Sequence, residues 1–249
     1  MTGLSIIVID LDWPSCHNVR DLGGLSDASG AVISSGVFIR SDSPNKLNSL
    51  GWAELRRYGV KTIIDLRSEH ETEPIAHERG DILVMNLPHD GVENKEFWGD
   101  WNSPSWNEGA RLASTPLYYK RHIDSMPERS VRVLQAIADA PAGGVLFHCI
   151  AGRDRTGMIA MLLLHLLDIK AEEIADDYCL SLENRLKRGA EADKSFEKVV
   201  AEYLESQRMT PREIVLTTLA EGNLKKKLRA AGLTDSHVRR LKARAFTTR

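Results

Sequence analysis

Two hydrophobic rhythms divide this chain of 249 residues. Short apolar runs bounded by turn residues occupy the first 150 positions and predict strands at 5–9 (SIIVI), 37–40 (VFIR), 61–66 (KTIIDL), 82–87 (ILVMNL) and 145–149 (VLFHC). Between them, apolar residues recur at helical spacing over 49–59, 116–125 and 127–139, with Pro116 and Pro127 suited to first turns and Gly59 to a stop. From Thr156 onward the helical period is unbroken, giving segments at 156–168, 171–187, 192–207, 211–220, 223–231 and 235–246. The expected architecture is α/β: a central, mostly parallel sheet flanked by helices, with a helical C-terminal third. A single domain over 1–249 is expected, with an α/β core to about 185 and a helical region from about 186. Two stretches lack a period. "NVRDLGGLSDASG" reads as turns, and 88–114, with three of the five tryptophans in "FWGDWNSPSW", reads as a long loop or lid.

Composition narrows the class. At 42% apolar the chain can build a sizeable core, and a net charge of −2 provides no global field for nucleic acid. Three cysteines without metal-type spacing argue against a disulfide framework or a zinc site. The N-terminus has no basic leader, and the run Met158 to Leu167 is too short for a bilayer. A cytoplasmic, reducing location is expected. From Gly222 onward nine Lys or Arg face one Asp, which suggests either an affinity for anionic membrane surfaces or a solvated helical face.

The chemistry concentrates in "VLFHCIAGRDRTGMIAMLLLHLL" (145–167). Here Cys149 is followed six residues later by Arg155, with His148 before it, Gly152 in mid-loop and Thr156 after it, between a strand and a helix. Cys179 and Arg185 repeat the bare spacing inside a helical pattern without glycine, so Cys179, like Cys16, reads as a core cysteine. In the first setting, successive amides of residues 149–155 can face inward as an anion nest, and the following helix adds its positive end. A thiol in such surroundings ionises readily, to a pKa of roughly 3.5–7.5. The fork of Arg155 can hold two phosphate oxygens. The implied reaction is attack of Cys149 on a phosphate monoester, with a cysteinyl phosphate that water hydrolyses. Loop residues Ile150, Ala151, Gly152, Arg153, Asp154 and Arg155 would bind the phosphate. Thr156 would donate to the departing sulfur, and His148 would fix the loop by hydrogen bonding or act electrostatically. No metal or organic cofactor is required.

"HCIAGRDRTG" resembles the signature loop of the cysteine-dependent protein tyrosine phosphatase superfamily. "NVRDLGGL" (18–25), "VFIRSD" (37–42), "GVKTIIDLRSEHE" (59–71) and "DDYCLS" (176–181) narrow the resemblance to its bacterial tyrosine and phosphoinositide phosphatases. The family's loop often reads HCxxGKDRTG, so Arg153 replaces a usual lysine with a planar fork. The resemblance implies phosphorylated protein as substrate, phosphotyrosine first, with phosphoinositide or dual-specificity activity as the alternative. It also implies inorganic phosphate or a similar oxyanion as a ligand of the loop. A rhodanese-type sulfurtransferase and a non-catalytic phosphate-binding module are the rivals from other classes. Four carboxylates compete as general acid. Asp154 and Asp65 are favoured on the family match. Asp90 stands third, where dual-specificity relatives carry their acid, and Asp100 fourth. The tryptophan segment reads as a pocket wall or a satellite core, and Arg20, Asp21, Arg40 and Arg67 as rim residues or ion-pair ties.

Overall fold

A computed structural model describes residues 8–72, 79–101, 115–188 and 191–246. Six strands form one sheet in the order β1-β2-β3-β6-β4-β5: β1 (Ile9–Asp10), β2 (Arg20–Asp21), β3 (Phe38–Ser41), β4 (Val60–Asp65), β5 (Leu83–Asn86) and β6 (Gly144–His148). β3, β6, β4 and β5 pair in parallel, whereas β1 and β2 extend the sheet antiparallel through β3. The four parallel strands are therefore the expected ones. β2 is only two residues long and falls in the segment read as turns, too short for any alternation to register. Of the strand expected at 5–9, residues 5–7 lie outside the described residues, and pairing is seen at Ile9–Asp10.

The helices are α1 (Ser49–Arg57), α2 (Lys95–Trp101), α3 (Leu117–Ser125), α4 (Pro127–Asp139), α5 (Asp154–Leu166), α6 (Ala171–Arg188), α7 (Glu191–Ser206), α8 (Pro211–Glu221), α9 (Leu224–Ala230) and α10 (Asp235–Ala245). α2 corrects part of the long-loop reading of 88–114. Asn94 starts it by accepting the Phe97 amide at 3.0 Å, and Phe97 is buried in the main core against His122. The Trp98 indole N–H is tied to the Gly91 carbonyl at 3.1 Å. Phe97 and Trp98 thus follow the core reading of the aromatic segment, while residues 102–114, Trp106 among them, lie outside the described residues, as do the side chains of Asp100 and Trp101.

The sheet is packed on both faces. On one face, Trp13, Trp52 and Leu55 cover Ile39, Ile63 and Leu146. On the other, α5 lies behind β6 and is apolar almost all round, with Met158 to Leu164 buried without exception. Such a helix is interior to its domain. The C-terminal helices join this same core through Leu219, Leu224, Leu228, Leu233 and Leu241. Five of their basic residues turn back on the chain: Lys225 and Lys242 onto Asp168, Lys227 onto Asp124, Arg240 onto Asp139, and Arg244 onto the carbonyls of Ala140, Pro141 and Gly143. Among the described residues no helix is long and apolar enough to cross a membrane.

Because Leu163 is fully buried at the centre of α5, Leu163→Ala should lower unfolding free energy by about 2–5 kcal/mol. Urea denaturation would measure this, and a loss well below 1 kcal/mol would contradict the packing described.

Candidate active site

The loop between β6 and α5 is shaped by what holds its carbonyls. The oxygen of His148 accepts the Leu66 amide at 2.9 Å, and that of Cys149 accepts His148 Nδ1 at 3.1 Å. Ile150 O accepts the Ser43 amide at 3.1 Å, Ala151 O the Asn18 Nδ2 at 3.0 Å, and Gly152 O the Arg40 Nη2 at 2.9 Å. Arg153 O accepts the Gly157 amide at 2.8 Å, and Asp154 O the Tyr119 hydroxyl at 2.8 Å. Seven consecutive carbonyls are thus engaged by the surrounding framework. The amides of Ile150, Ala151, Gly152, Asp154 and Arg155 donate to no acceptor among the described residues. In a tight loop, amides left over when the carbonyls are held outside form an anion nest, and here α5 begins at its edge.

Each of these donors is itself fixed. Asn18 can direct its Nδ2 to the loop because its Oδ1 accepts Arg20 Nη1 at 2.6 Å. Its backbone amide, with that of His17, is held by the Asp42 carboxylate. Arg20 and Arg40 both close on the buried Asp177 of α6, and both reach Ser181 Oγ. Burial, and then Arg40, lower Arg20 to about 10, while the two arginines hold Asp177 below the carboxylate range against its own burial. The segments "NVRD", "FIRSD" and "DDYCLS" are therefore one framework, and Arg20 and Arg40 are ion-pair ties rather than rim residues. Gly152 is required twice over. Its φ is +67°, and a Cβ there would sit 2.5 Å from the Asp42 amide nitrogen.

Arg155 lies at the mouth. Glu71 grips its fork with Nη1–Oε2 2.6 Å and Nη2–Oε1 3.0 Å, and Asp90 Oδ2 lies 3.0 Å from Nη1. Burial disfavours the guanidinium charge, but Cys149, Glu71 and Asp90 more than offset it and raise its pKa. Glu71, absent from the sequence reading, ends a short 3-10 turn at Glu69–Glu71, where its carboxylate also takes the Ser68 amide at 2.9 Å. Cys149 is 2% exposed, and Thr156 Oγ1 is buried with no partner among the described residues. Ile150 is 46% exposed.

The carboxylates separate clearly. Asp65 is gripped by Arg67 at 2.7–3.2 Å, which with His148 holds it below the ordinary range despite burial. Asp154 is engaged by Arg153, Nε–Oδ1 3.0 Å, and Arg153 itself is 1% exposed. The planar fork that replaces the usual lysine thus closes on its neighbour. Asp90 differs: burial raises it to about 6, with Glu71 and Asp154 adding to the rise and Arg155 opposing it. The loop that carries it is pinned by a stacked histidine pair. His89 and His122 lie 4.5 Å apart between centroids, and His122 Nε2 donates to the His89 carbonyl at 2.9 Å. Tyr118 is buried beside this group, and after burial itself Asp90, Asp154 and Cys149 all raise its phenol. His148 is fully buried, lies 3.8 Å from Asp65, and is lowered to about 4 chiefly by burial. A proton on its Nδ1 is required by the Cys149 carbonyl, which can only accept.

Of the other thiols, Cys16 is buried, and burial pushes it up. Cys179 is only half-buried on α6, which corrects its reading as a core residue, and burial raises it to about 11. Among the described residues no His, Cys, Asp and Glu gather as a metal site.

Cys149 thus lies between a parallel strand and a helix of an α/β sheet, in a loop whose amides, unpartnered among the described residues, suit an anion. Residues 11–247 match the model of the tyrosine phosphatase family, and the chain belongs to that family. It is 27% identical over 185 residues to a Cupriavidus necator protein named as a tyrosine-protein phosphatase, covering 68% of this chain and 62% of that one. It is 26% identical over 192 residues to the triple specificity protein phosphatase PtpB of Mycobacterium tuberculosis, covering 68% of each. A crystal structure of P. aeruginosa TpbA in complex with pTyr is similar with a TM-score of 0.44 and 16% identity, covering 80% of this chain and 99% of that one.

Two outcomes follow. Gly152→Ala should weaken binding of tungstate to the loop more than tenfold, since a positive φ and a backbone clash both oppose it; calorimetric titration reads this, and unchanged affinity would contradict the cradle. Acid should destabilise the protein before the carboxylates titrate. His122 and His148 sit at about 4 against an ordinary 6.5, so the unfolded chain takes up their protons first. Their stabilisation is complete above about pH 6.5 and is lost as pH falls toward 4. Asp90 runs the other way between about 6 and 3.8, but it is one group against four, since burial also lowers His89 and His165. Urea midpoints at pH 7.5 and pH 5 should therefore differ, with the acid value lower.

Proposed function

We propose that this chain is a phosphate monoester hydrolase, specifically a protein tyrosine phosphatase acting through Cys149. The observation that carries the reading is the cradle: the Cys149 sulfur lies in a loop whose carbonyls from His148 to Asp154 are engaged by the surrounding structure. Family membership supports the same reading. A sulfurtransferase needs no fork at the position of Arg155, and a pure binding module needs no nucleophile.

In this mechanism the Cys149 thiolate attacks phosphorus in line with the ester oxygen. The P–O bond breaks, and Asp90 gives its proton to the leaving oxygen. The loop amides and Arg155 hold the three equatorial oxygens, with Glu71 setting the plane of the guanidinium. Water, deprotonated by Asp90, then attacks phosphorus. The S–P bond breaks, and Thr156 donates to the departing sulfur. Asp90 is preferred to Asp154 and Asp65 because its protonated form persists to about pH 6, whereas Asp65 is held ionised by Arg67 and Asp154 is tied to Arg153. Asp65 instead anchors Arg67 beside His148, and Asp154 anchors Arg153 at the helix start. His148, Ile150, Ala151, Gly152 and Arg153 contribute the frame of the cradle. A thiolate nucleophile and no metal step fit a reducing, cytoplasmic setting. Phosphotyrosine leads as substrate. The tail's ion pairs onto Asp168, Asp124 and Asp139 leave an anionic membrane surface without support.

Cys149→Ser should abolish turnover while keeping oxyanion binding. Asp90→Asn should slow phosphotyrosine hydrolysis by about 10²–10⁴-fold and affect far less an aryl phosphate whose leaving group needs no proton. It should also remove the decline of phosphotyrosine turnover above about pH 6. Turnover by Cys149→Ser would overturn the mechanism. A larger effect at Asp154 or Asp65 on the same pair of substrates would move the acid there.

A further inference from the structure

Beside the catalytic loop lies a second cleft of about 600 Å³, lined by Ser68, His70, Pro88, Glu93, Arg129 and Arg132 among others. Part of its lining comes from the segments that carry Glu71 and Asp90. His70 precedes the Glu71 that grips Arg155, and Pro88 and Gly91 flank Asp90. Arg129 and Arg132 are three residues apart on α4 and so project from one face of the helix. Arg129 is fixed: its Nη1 donates to the Pro88 carbonyl at 2.9 Å, and a Cβ on Gly91 would fall 2.8 Å from its Nε. Its remaining edge meets the carboxylate of Glu93, a residue whose side chain is 67% exposed. Arg132 is exposed and has no ion-pair partner among the described residues. Burial, and then the neighbouring charge of Arg132 on the same helix face, lower the pKa of Arg129.

Two cations held on one helix face by a folded scaffold favour an anion between them. The group already on Arg129 shows which anion fits there, namely a carboxylate from an exposed side chain. We propose that this cleft is an accessory subsite for a carboxylate of the substrate: an Asp or Glu side chain near the phosphotyrosine of a peptide displaces Glu93 and is shared by Arg129 and Arg132. The inference rests on the phosphatase reading above and deepens it by naming the substrate class, acidic phosphopeptides. Glu69 and Glu93 also line the cleft, which disfavours a densely charged polyphosphate headgroup there and suits a singly charged side chain. Val92, 51% exposed on the same wall, suits a neighbouring apolar side chain of a peptide.

The test compares kcat/KM for three phosphotyrosine peptides identical except for flanking positions that carry Glu, Gln or phosphothreonine. A soluble short-chain phosphoinositide serves as a fourth substrate. The Glu peptide should be preferred over the Gln peptide by about three- to tenfold at low salt, with the preference shrinking as ionic strength rises. Arg132→Ala should bring that ratio close to one, and Glu93→Gln should increase it. Both are exposed positions, and thermal melts would verify folding. The same ratios measured as binding to Cys149→Ser read the subsite even if no peptide is turned over, so failure of the phosphatase reading and failure of the subsite are separable. Equal kcat/KM for Glu and Gln peptides in the unmodified chain would overturn the proposal. So would a ratio that Arg132→Ala leaves unchanged, or an Arg132-dependent preference for the phosphoinositide or the phosphothreonine peptide over the Glu peptide.

Discussion

The loop between β6 and α5 is held by its carbonyls. A short loop with free carbonyls can rotate any peptide unit and so present either pole of its dipole to a ligand. From His148 to Asp154 that freedom is removed one unit at a time, by donors from β3, the segment before β2, α3 and the loop's own helix. Amides whose orientation is fixed in this way would need little organising by an anion, and an electrostatic receptor that requires no reorganisation is the most effective kind. The fully buried Arg20–Asp177–Arg40 cluster exists in service of this arrangement. Its desolvation is costly, and as a contribution to stability alone it is weak. Its geometry, though, delivers one guanidinium hydrogen to Gly152 O and orients Asn18 toward Ala151 O.

The charges around Arg155 show the same economy of position. In the free chain its fork is already closed by Glu71, so its plane is set before a phosphate arrives. Asp90 sits near enough to feel that cation, yet burial outweighs the attraction and keeps its proton to about pH 6. One cation therefore neighbours two carboxylates in different states: Glu71 held below the ordinary carboxylate range, Asp90 raised to about 6.

Much of the fold could be read from periodicity because its elements are regular and punctuated. Pro127 opens α4, Pro211 opens α8 under a Thr210 cap, and the glycines after α1 and α9 stop them. β2 could not be read, since two residues have no period, and its place in the sheet comes from pairing with β3. α2 was hidden because its apolar residues are aromatic and clustered, leaving no stripe. At the site, Cys149, Gly152 and Arg155 announced themselves by spacing. Glu71 did not: it meets Arg155 across 84 positions of sequence, and a Glu in a polar run carries no local mark. The preference for Asp90 over Asp65 rests on burial and neighbouring cations, which are tertiary properties that a motif does not carry.

Gly152 presses against the backbone of Ser41 and Asp42, at the end of β3. The floor of the cradle is thereby continuous with the sheet, and neither can shift without the other. Diversification among proteins of this build is thus steered away from the phosphate end and into the walls. Exposed wall positions such as Val92 stand clear of that constraint, so new substrates would be acquired at the margins of an unchanging base.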